Sequence, residues 1–162
     1  MKLAVMSDTH DHLENLERAL KKINRQKPDA LVHCGDLCSP FVVDRLAGFR
    51  GAVHVVFGNN EGDRFTIDRA ARRFEHIAIH GEFGFIETGE GVAAFTHRPE
   101  FAEGFATTGR YKAVFYGHTH RHKAERIGDT WLINPGELLG FIERPRYIIF
   151  DLAQGTFRSI DI

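Results

Sequence analysis

Five short polar segments in the chain each follow an apolar run, and their residue types are those that bind divalent cations. Ser7-Asp8-Thr9-His10 follows Leu3–Met6, and Cys34-Gly35-Asp36 follows Ala30–His33. Gly58-Asn59-Asn60-Glu61 follows Ala52–Phe57, Thr96-His97 follows Val92–Phe95, and Gly117-His118-Thr119-His120 follows Ala113–Tyr116. Asp8 and His10 are two residues apart, as are His118 and His120. Residues i and i+2 of an extended segment point to one side, so each pair can direct two ligands to one place. Asp36 adds a carboxylate able to bridge two cations, Asn59 a carbonyl oxygen and His97 another imidazole. Asp8, His10, Asp36, Asn59, His97, His118 and His120 together offer four imidazoles and three oxygen donors. One ion rarely accepts seven donors with so much imidazole, whereas two ions sharing Asp36 would each have four.

Any one of these segments alone has a bland explanation, because a strand-end Asp is often only a helix cap. Five in the same strand-end register are not independent accidents. Ligands of open α/β sheets bind just outside the carboxyl ends of the strands, so parallel strands would bring all five turns to one rim.

The elements that would hold these turns are legible in the hydrophobic pattern. Leu3–Met6, Ala30–His33 and Ala52–Phe57 read as buried strands. Asp11 to Glu14 reads as a capping box opening a helix with Leu13, Leu16, Leu20 and Ile23 on one face. Ser39-Pro40 reads as an N-cap and first helical residue, with Gly48 ending that helix. The second half is strand-rich: Ile77–His80, Phe83–Glu87, Val92–Thr96, Ala113–Tyr116, Lys123–Ile127, Thr130–Ile133, Arg146–Asp151 and Thr156–Ile160, with a helix over Pro99–Thr108. About eleven strands exceed a comfortable single sheet at this size. The expectation is an α/β fold of two packed sheets with helices outside, as one domain over residues 1–162.

Composition excludes several classes of protein. The chain has 162 residues, 43% hydrophobic and 27% charged, a globular balance. A formal net charge of −1 lacks the electrostatic footprint of a dedicated nucleic-acid binder. No apolar run is long enough for a membrane span or a secretion signal. The two cysteines, Cys34 and Cys38, form neither a disulfide framework nor a CxxC pair, which suits a reducing, cytoplasmic compartment. Ten histidines are the one unusual count.

The order DxH, GDxx, GNxx, strand-end His and GHxH, continued to Asn134-Pro135-Gly136, resembles the calcineurin-like metallophosphoesterase superfamily. The likeness runs from Ser7 to about Gly136 and is strongest to the small single-domain phosphodiesterases of bacteria and archaea. It implies a four-layer αββα sandwich. It implies that Asp8, His10, Asp36 and His120 hold one metal ion, and that Asp36, Asn59, His97 and His118 hold a second. A hydroxide bridging the two ions would attack the phosphorus of a small phosphodiester. Asp36 and Asn59 are the catalytic residues this carries over. The resemblance favours manganese, with nickel, iron and zinc also compatible. Four neutral imidazoles imply that metal affinity and activity fall below about pH 6.

The sequence departs from the family in two places. The fuller superfamily motif reads GNHD, and its histidine assists the leaving group; the small phosphodiesterase branch that the chain resembles commonly lacks it, so the departure fits that branch. Here Asn60 stands in that position and cannot act as an acid, a role worth about 10²–10⁴-fold. Asn60 is therefore expected to contact substrate, and aryl leaving groups to be preferred. Arg98 follows His97 where glycine is usual; it reads either as a phosphate contact or as the start of the helix at Pro99. Glu137 reads as a cap or a solvent contact, His12 as part of the first helical turn, and His33, Cys34 and Cys38 as packed groups. His54, His76 and His122 lack a constellation; His80 is the non-ligand nearest a rim. Phe141 reads as an exposed residue, at a substrate wall or a dimer contact. The alternatives to a phosphodiesterase are a phosphomonoesterase and a non-catalytic scaffold like the retromer subunit of this fold. A homo-oligomer is compatible with each.

Overall fold

The computed structural model describes residues 1–162. In chain order the elements are β1 (Lys2–Met6), α1 (Leu13–Gln26), β2 (Ala30–His33), α2 (Pro40–Leu46), β3 (Ala52–Val55), α3 (Arg64–Ala71), β4 (Ile77–Ile79), β5 (Phe83–Thr88), β6 (Gly91–Thr96), α4 (Pro99–Thr107), β7 (Ala113–Phe115), β8 (Lys123–Ile127), β9 (Thr130–Asn134), β10 (Arg146–Asp151) and β11 (Thr156–Asp161). They form two mixed sheets, ordered β11-β10-β1-β2-β3-β4 and β5-β6-β7-β9-β8.

The layering follows from period-two alternation, because successive side chains of a strand face opposite ways. Leu3 and Val5 of β1, Ala30 and Val32 of β2, and Ile148 and Phe150 of β10 join Ala93, Phe95, Ala113, Phe115 and Ile133 of the second sheet in one apolar cluster between the sheets. Their alternates Ala4, Met6, Leu31, Tyr147 and Ile149 pack instead with Leu16, Leu20, Ile23, Val42, Val43, Leu46 and Ile67 of α1, α2 and α3. On the far side, Ala94, Val114 and Leu132 meet Ala102 and Ala106 of α4. Three separate cores mean four layers, α/β/β/α. Strands covered on both faces read as continuous apolar runs for this reason.

Two local expectations need correction. The opening unit has a third helix, α3, capped by Asp63 through the amide of Thr66. It presents only Ile67, Ala70 and Ala71 to the core and leaves Phe65 73% exposed, so it carries no clear apolar stripe. Asp11 does not cap α1 either. Its φ is 57° and its carboxylate accepts from Ser39 Oγ at 2.5 Å. His12 is the cap, its Nδ1 accepting from the amide of Asn15.

Candidate metal centre

Parallel pairing of β1, β2 and β3 in one sheet, and of β6 and β7 in the other, brings the five polar turns to one rim. Backbone hydrogen bonds lock the turns together: Asp8 N to Gly35 O at 3.0 Å, His10 N to Asp36 O at 3.0 Å, and Gly117 N to His97 O at 3.1 Å. Five of the seven candidate ligands have left-handed backbones: Asp8 (φ 53°), His10 (44°), Asp36 (56°), His118 (71°) and His120 (59°). Asp and His enter this region more readily than most residues, yet each such turn costs about 1–3 kcal/mol. Strain concentrated on these side chains is characteristic of a functional constellation.

The ligand atoms of Asp8, His10, Asp36 and His120 all lie within 4.8 Å of one another. His10 Nε2 and His120 Nε2 are 3.2 Å apart. Asp36 Oδ2 is 3.5 Å from His10 Nε2, and Asp8 Oδ1 is 3.5 Å from His120 Nε2. A second group adjoins the first through the same oxygen. Asp36 Oδ2 is 3.4 Å from His97 Nε2, which lies 3.0 Å from Asn59 Oδ1 and 3.2 Å from His118 Nδ1. All seven predicted residues are thus brought together, in two groups joined at Asp36.

The donor set fits a cation. His97 donates its Nδ1–H to the carbonyl of Cys34 at 2.9 Å, and Glu137 Oε2 lies 2.7 Å from His120 Nδ1. The opposite nitrogens, both Nε2, then turn lone pairs toward Asp36 Oδ2, Asn59 Oδ1 and Asp8 Oδ1. Lone pairs facing oxygens across 3.0–3.5 Å repel unless a positive charge stands between them.

Burial shapes the protonation of the site. It pushes the Asp8 carboxyl up to about 7, against the opposing influence of His120 and the amide of His118. Burial lowers His10 and His97 below the ordinary imidazole value, so both are neutral donors. Asp36 lies below the usual carboxylate range: burial raises it, but the His97 and His10 rings and two hydrogen bonds from Asn60 outweigh that.

Asn60 is exposed and is held against Asp36. Its N and Nδ2 donate to the two oxygens of Asp36, each at 2.8 Å. Arg98 is exposed and caps α4 without a side-chain bond. His12 is held as a cap, and His33 is fully buried against Thr9 Oγ1 at 2.7 Å, with burial lowering it to about 3. Cys34 is buried as expected; Cys38 is half-buried, its Sγ 3.5 Å from His10 Nδ1. His54 and His80 pair with each other at 3.0 Å. Phe141 is 83% exposed.

Two residues with a role here were not foreseen. Glu61 accepts from the amides of Leu37 (3.2 Å) and Gly58 (2.8 Å), joining two of the polar turns. Glu137, expected as a cap or solvent contact, is fully buried behind His120. A charged residue directly after an Asn-Pro-Gly turn was the only signal in the sequence.

Two buried carboxylates with imidazoles beside them at the strand ends of an αββα sandwich fit the class of metal-dependent phosphoester hydrolases. Residues 1–155 match the calcineurin-like phosphoesterase superfamily domain, and the chain belongs to that family. It is 32% identical, over 99% of its own length and 98% of the relative's, to phosphodiesterase MJ0936 of Methanocaldococcus jannaschii. A solved archaeal phosphodiesterase superposes with a TM-score of 0.92 at 31% identity, covering 100% of both chains. The Escherichia coli phosphoesterase Yfce (TM-score 0.70, 22% identity, 100% of both chains) shares the fold. So does zinc-complexed Vps29 of Entamoeba histolytica (TM-score 0.67, 17% identity, 100% of this chain and 98% of that one). No helix is long and apolar enough to cross a membrane.

Proposed function

We propose that this chain is a phosphodiesterase that works with two divalent cations, manganese in preference to nickel, iron or zinc. Asp8, His10, Asp36 and His120 hold one cation; Asp36, Asn59, His97 and His118 hold the other. The observation that carries this reading is the position of Asp36 Oδ2, 3.5 Å from His10 Nε2 and 3.4 Å from His97 Nε2, where one oxygen serves both groups. When bound, two cations at such a site lower the pKa of water for in-line attack on phosphorus and neutralise charge on the phosphate oxygens.

The protein's own residues do the rest. Asp8 and Asp36 are anchored by N–H donors from His118 and Asn60, so their oxygens are preorganised before any ligand arrives. Asn60 holds Asp36 and supplies no proton, which favours aryl over alkyl leaving groups. Arg98, exposed beside His97, contacts the phosphate. Similarity to an archaeal phosphodiesterase favours diesters over monoesters. The chain acts as one domain over residues 1–162, and its free cysteines suit the cytoplasm.

The test is to strip the protein with a chelator, reload it with each of the four metals, and assay a bis-aryl phosphate beside an aryl monophosphate. Manganese-dependent diester turnover that is absent in Asp36→Ala is the expected result. Bound metal with no turnover under any ion would favour the scaffold instead.

A further inference from the structure

We propose that Glu137 is a positioning residue for His120: it fixes which imidazole nitrogen faces the metal centre and ties that nitrogen to the loop 138–143. The proposal rests on the reading of the centre given above. Glu137 is 0% exposed. A buried carboxylate is tolerated only when its oxygens are filled, and three N–H donors fill these. Oε1 accepts from the amides of Ile142 and Glu143, the latter at 2.8 Å. Oε2 lies 2.7 Å from His120 Nδ1. A backbone amide can only donate, so Oε1 is an acceptor. An ionised carboxylate has only acceptors, so in that form Oε2 accepts the Nδ1–H of His120. The proton of the ring is thereby kept on Nδ1, and the lone pair of Nε2 is left facing Asp8 Oδ1 at 3.5 Å.

The loop closes the arrangement from the other side. Leu138 and Leu139 donate backbone N–H to the carbonyls of Ser7 and Asp8, each at 3.0 Å. The side-chain amide of Asn15 in α1 donates to the carbonyl of Leu138 at 2.8 Å. One segment thus spans the turns that carry Asp8 and His120, and Glu137 is the only charged side chain that holds it to the imidazole. His97 differs, because its Nδ1 is held by a backbone carbonyl, that of Cys34. A change at position 137 therefore acts on the first group of ligands and leaves the second alone. Glutamine is no conservative replacement here. It offers one oxygen to three N–H donors, and its NH₂ beside Nδ1 would drive the ring proton onto Nε2, the nitrogen a metal needs.

The experiment compares the parent, Glu137→Gln and Glu137→Asp. Nitrogen NMR of the metal-free proteins reads the His120 tautomer, and calorimetry reads Mn²⁺ binding. The parent is expected to carry its proton on Nδ1 and Glu137→Gln on Nε2. Mn²⁺ affinity should fall about 10–100-fold at one site only in Glu137→Gln. Glu137→Asp, which keeps the charge, should recover the Nδ1–H form and part of the affinity. A lower melting temperature with unchanged tautomer and unchanged affinity overturns the proposal. So does a parent protonated on Nε2, a result that needs no variant to fold. A parent that binds no Mn²⁺ overturns the proposed function instead, and the tautomer still decides the role of Glu137.

Discussion

Asn60 clasps Asp36 with two hydrogen bonds, one from its backbone N and one from its side-chain Nδ2, each 2.8 Å long and each to a different carboxylate oxygen. The oxygen that Nδ2 holds, Oδ2, is the one shared between the two groups of candidate ligands. Position 60 is where the fuller motif that the sequence resembles has a histidine; on that reading a clamp on Asp36 stands in place of an acid. Replacing the clamp should have two separable effects. Asn60→His is expected to raise alkyl-ester turnover relative to aryl-ester turnover, because a proton donor is restored, while Mn²⁺ affinity falls because Oδ2 loses a donor. Asn60→Ala is expected to show the second effect alone. Kinetics on paired alkyl and aryl diesters, with calorimetry, measure both; an unchanged ratio in Asn60→His would mean that leaving-group protonation is not limiting.

Acid should weaken the centre earlier than four ordinary histidines would suggest. Burial lowers His10 and His97, which favours their neutral forms, but it lifts Asp8 to about 7. Below that pH the metal-free protein carries a proton on Asp8 that an incoming cation must displace. Mn²⁺ binding to the first group is expected to weaken as pH falls through about 7, with release of one proton per ion. Calorimetry in buffers of different ionisation enthalpy counts that proton; none at about pH 6 would show Asp8 already ionised. The same shift has a consequence for stability. Asp8 ionises near its ordinary 3.8 when unfolded and near 7 when folded. The folded chain then binds the extra proton, and metal-free stability falls as pH rises through that interval. Asp8→Asn should accordingly raise the melting temperature of the metal-free protein at about pH 8 and change it little at about pH 4, where the parent carboxyl is protonated in the folded state.

The division of the ligands into two groups sharing one carboxylate predicts stoichiometries. Asp36→Ala should bind no Mn²⁺ tightly, whereas His97→Ala and His120→Ala should each retain one ion, held by the opposite group. Elemental analysis of protein reloaded and then desalted reads this directly. Two ions in Asp36→Ala would mean that the groups do not share that oxygen.

The parts of the fold that depend on local pattern were legible, and those that depend on tertiary partners were not. All eleven strands announce themselves by alternation or by short apolar runs, and the five turns follow from where those runs end. The helix α3 has no readable apolar stripe because only three of its residues face the core. The capping box at Asp11 fits the sequence pattern, but Ser39, from another turn, claims that carboxylate. Glu137 could not be assigned from its neighbours, since its partners His120, Ile142 and Glu143 meet only when the loop folds back. Asn60 is visible as an exchange in a motif, but its grip on Asp36 arises only where two turns distant in sequence meet.

Three glycine-to-alanine changes should give three different outcomes. A Cβ at Gly58 would lie 2.2 Å from Asp36 Oδ1 and 2.6 Å from its backbone N. A Cβ at Gly117 would lie 2.0 Å from Ser7 Oγ and 2.7 Å from Asp8 Oδ2. Neither overlap is relieved without moving a candidate ligand, and such overpacking costs about 1–3 kcal/mol. Gly58→Ala is expected to weaken both Mn²⁺ sites, because Asp36 belongs to both. Gly117→Ala is expected to weaken the site that contains Asp8 more than the other, since the added Cβ meets Ser7 and Asp8. Gly104 lies within α4 and a Cβ there meets nothing within 4 Å. Gly104→Ala should leave metal binding intact and stabilise the helix by about 0.5–1 kcal/mol, since alanine loses less backbone entropy than glycine. Thermal melts and Mn²⁺ titrations on the three variants separate these cases. Equal losses of metal binding in Gly58→Ala and Gly104→Ala would mean that crowding at Asp36 is not what confines position 58 to glycine.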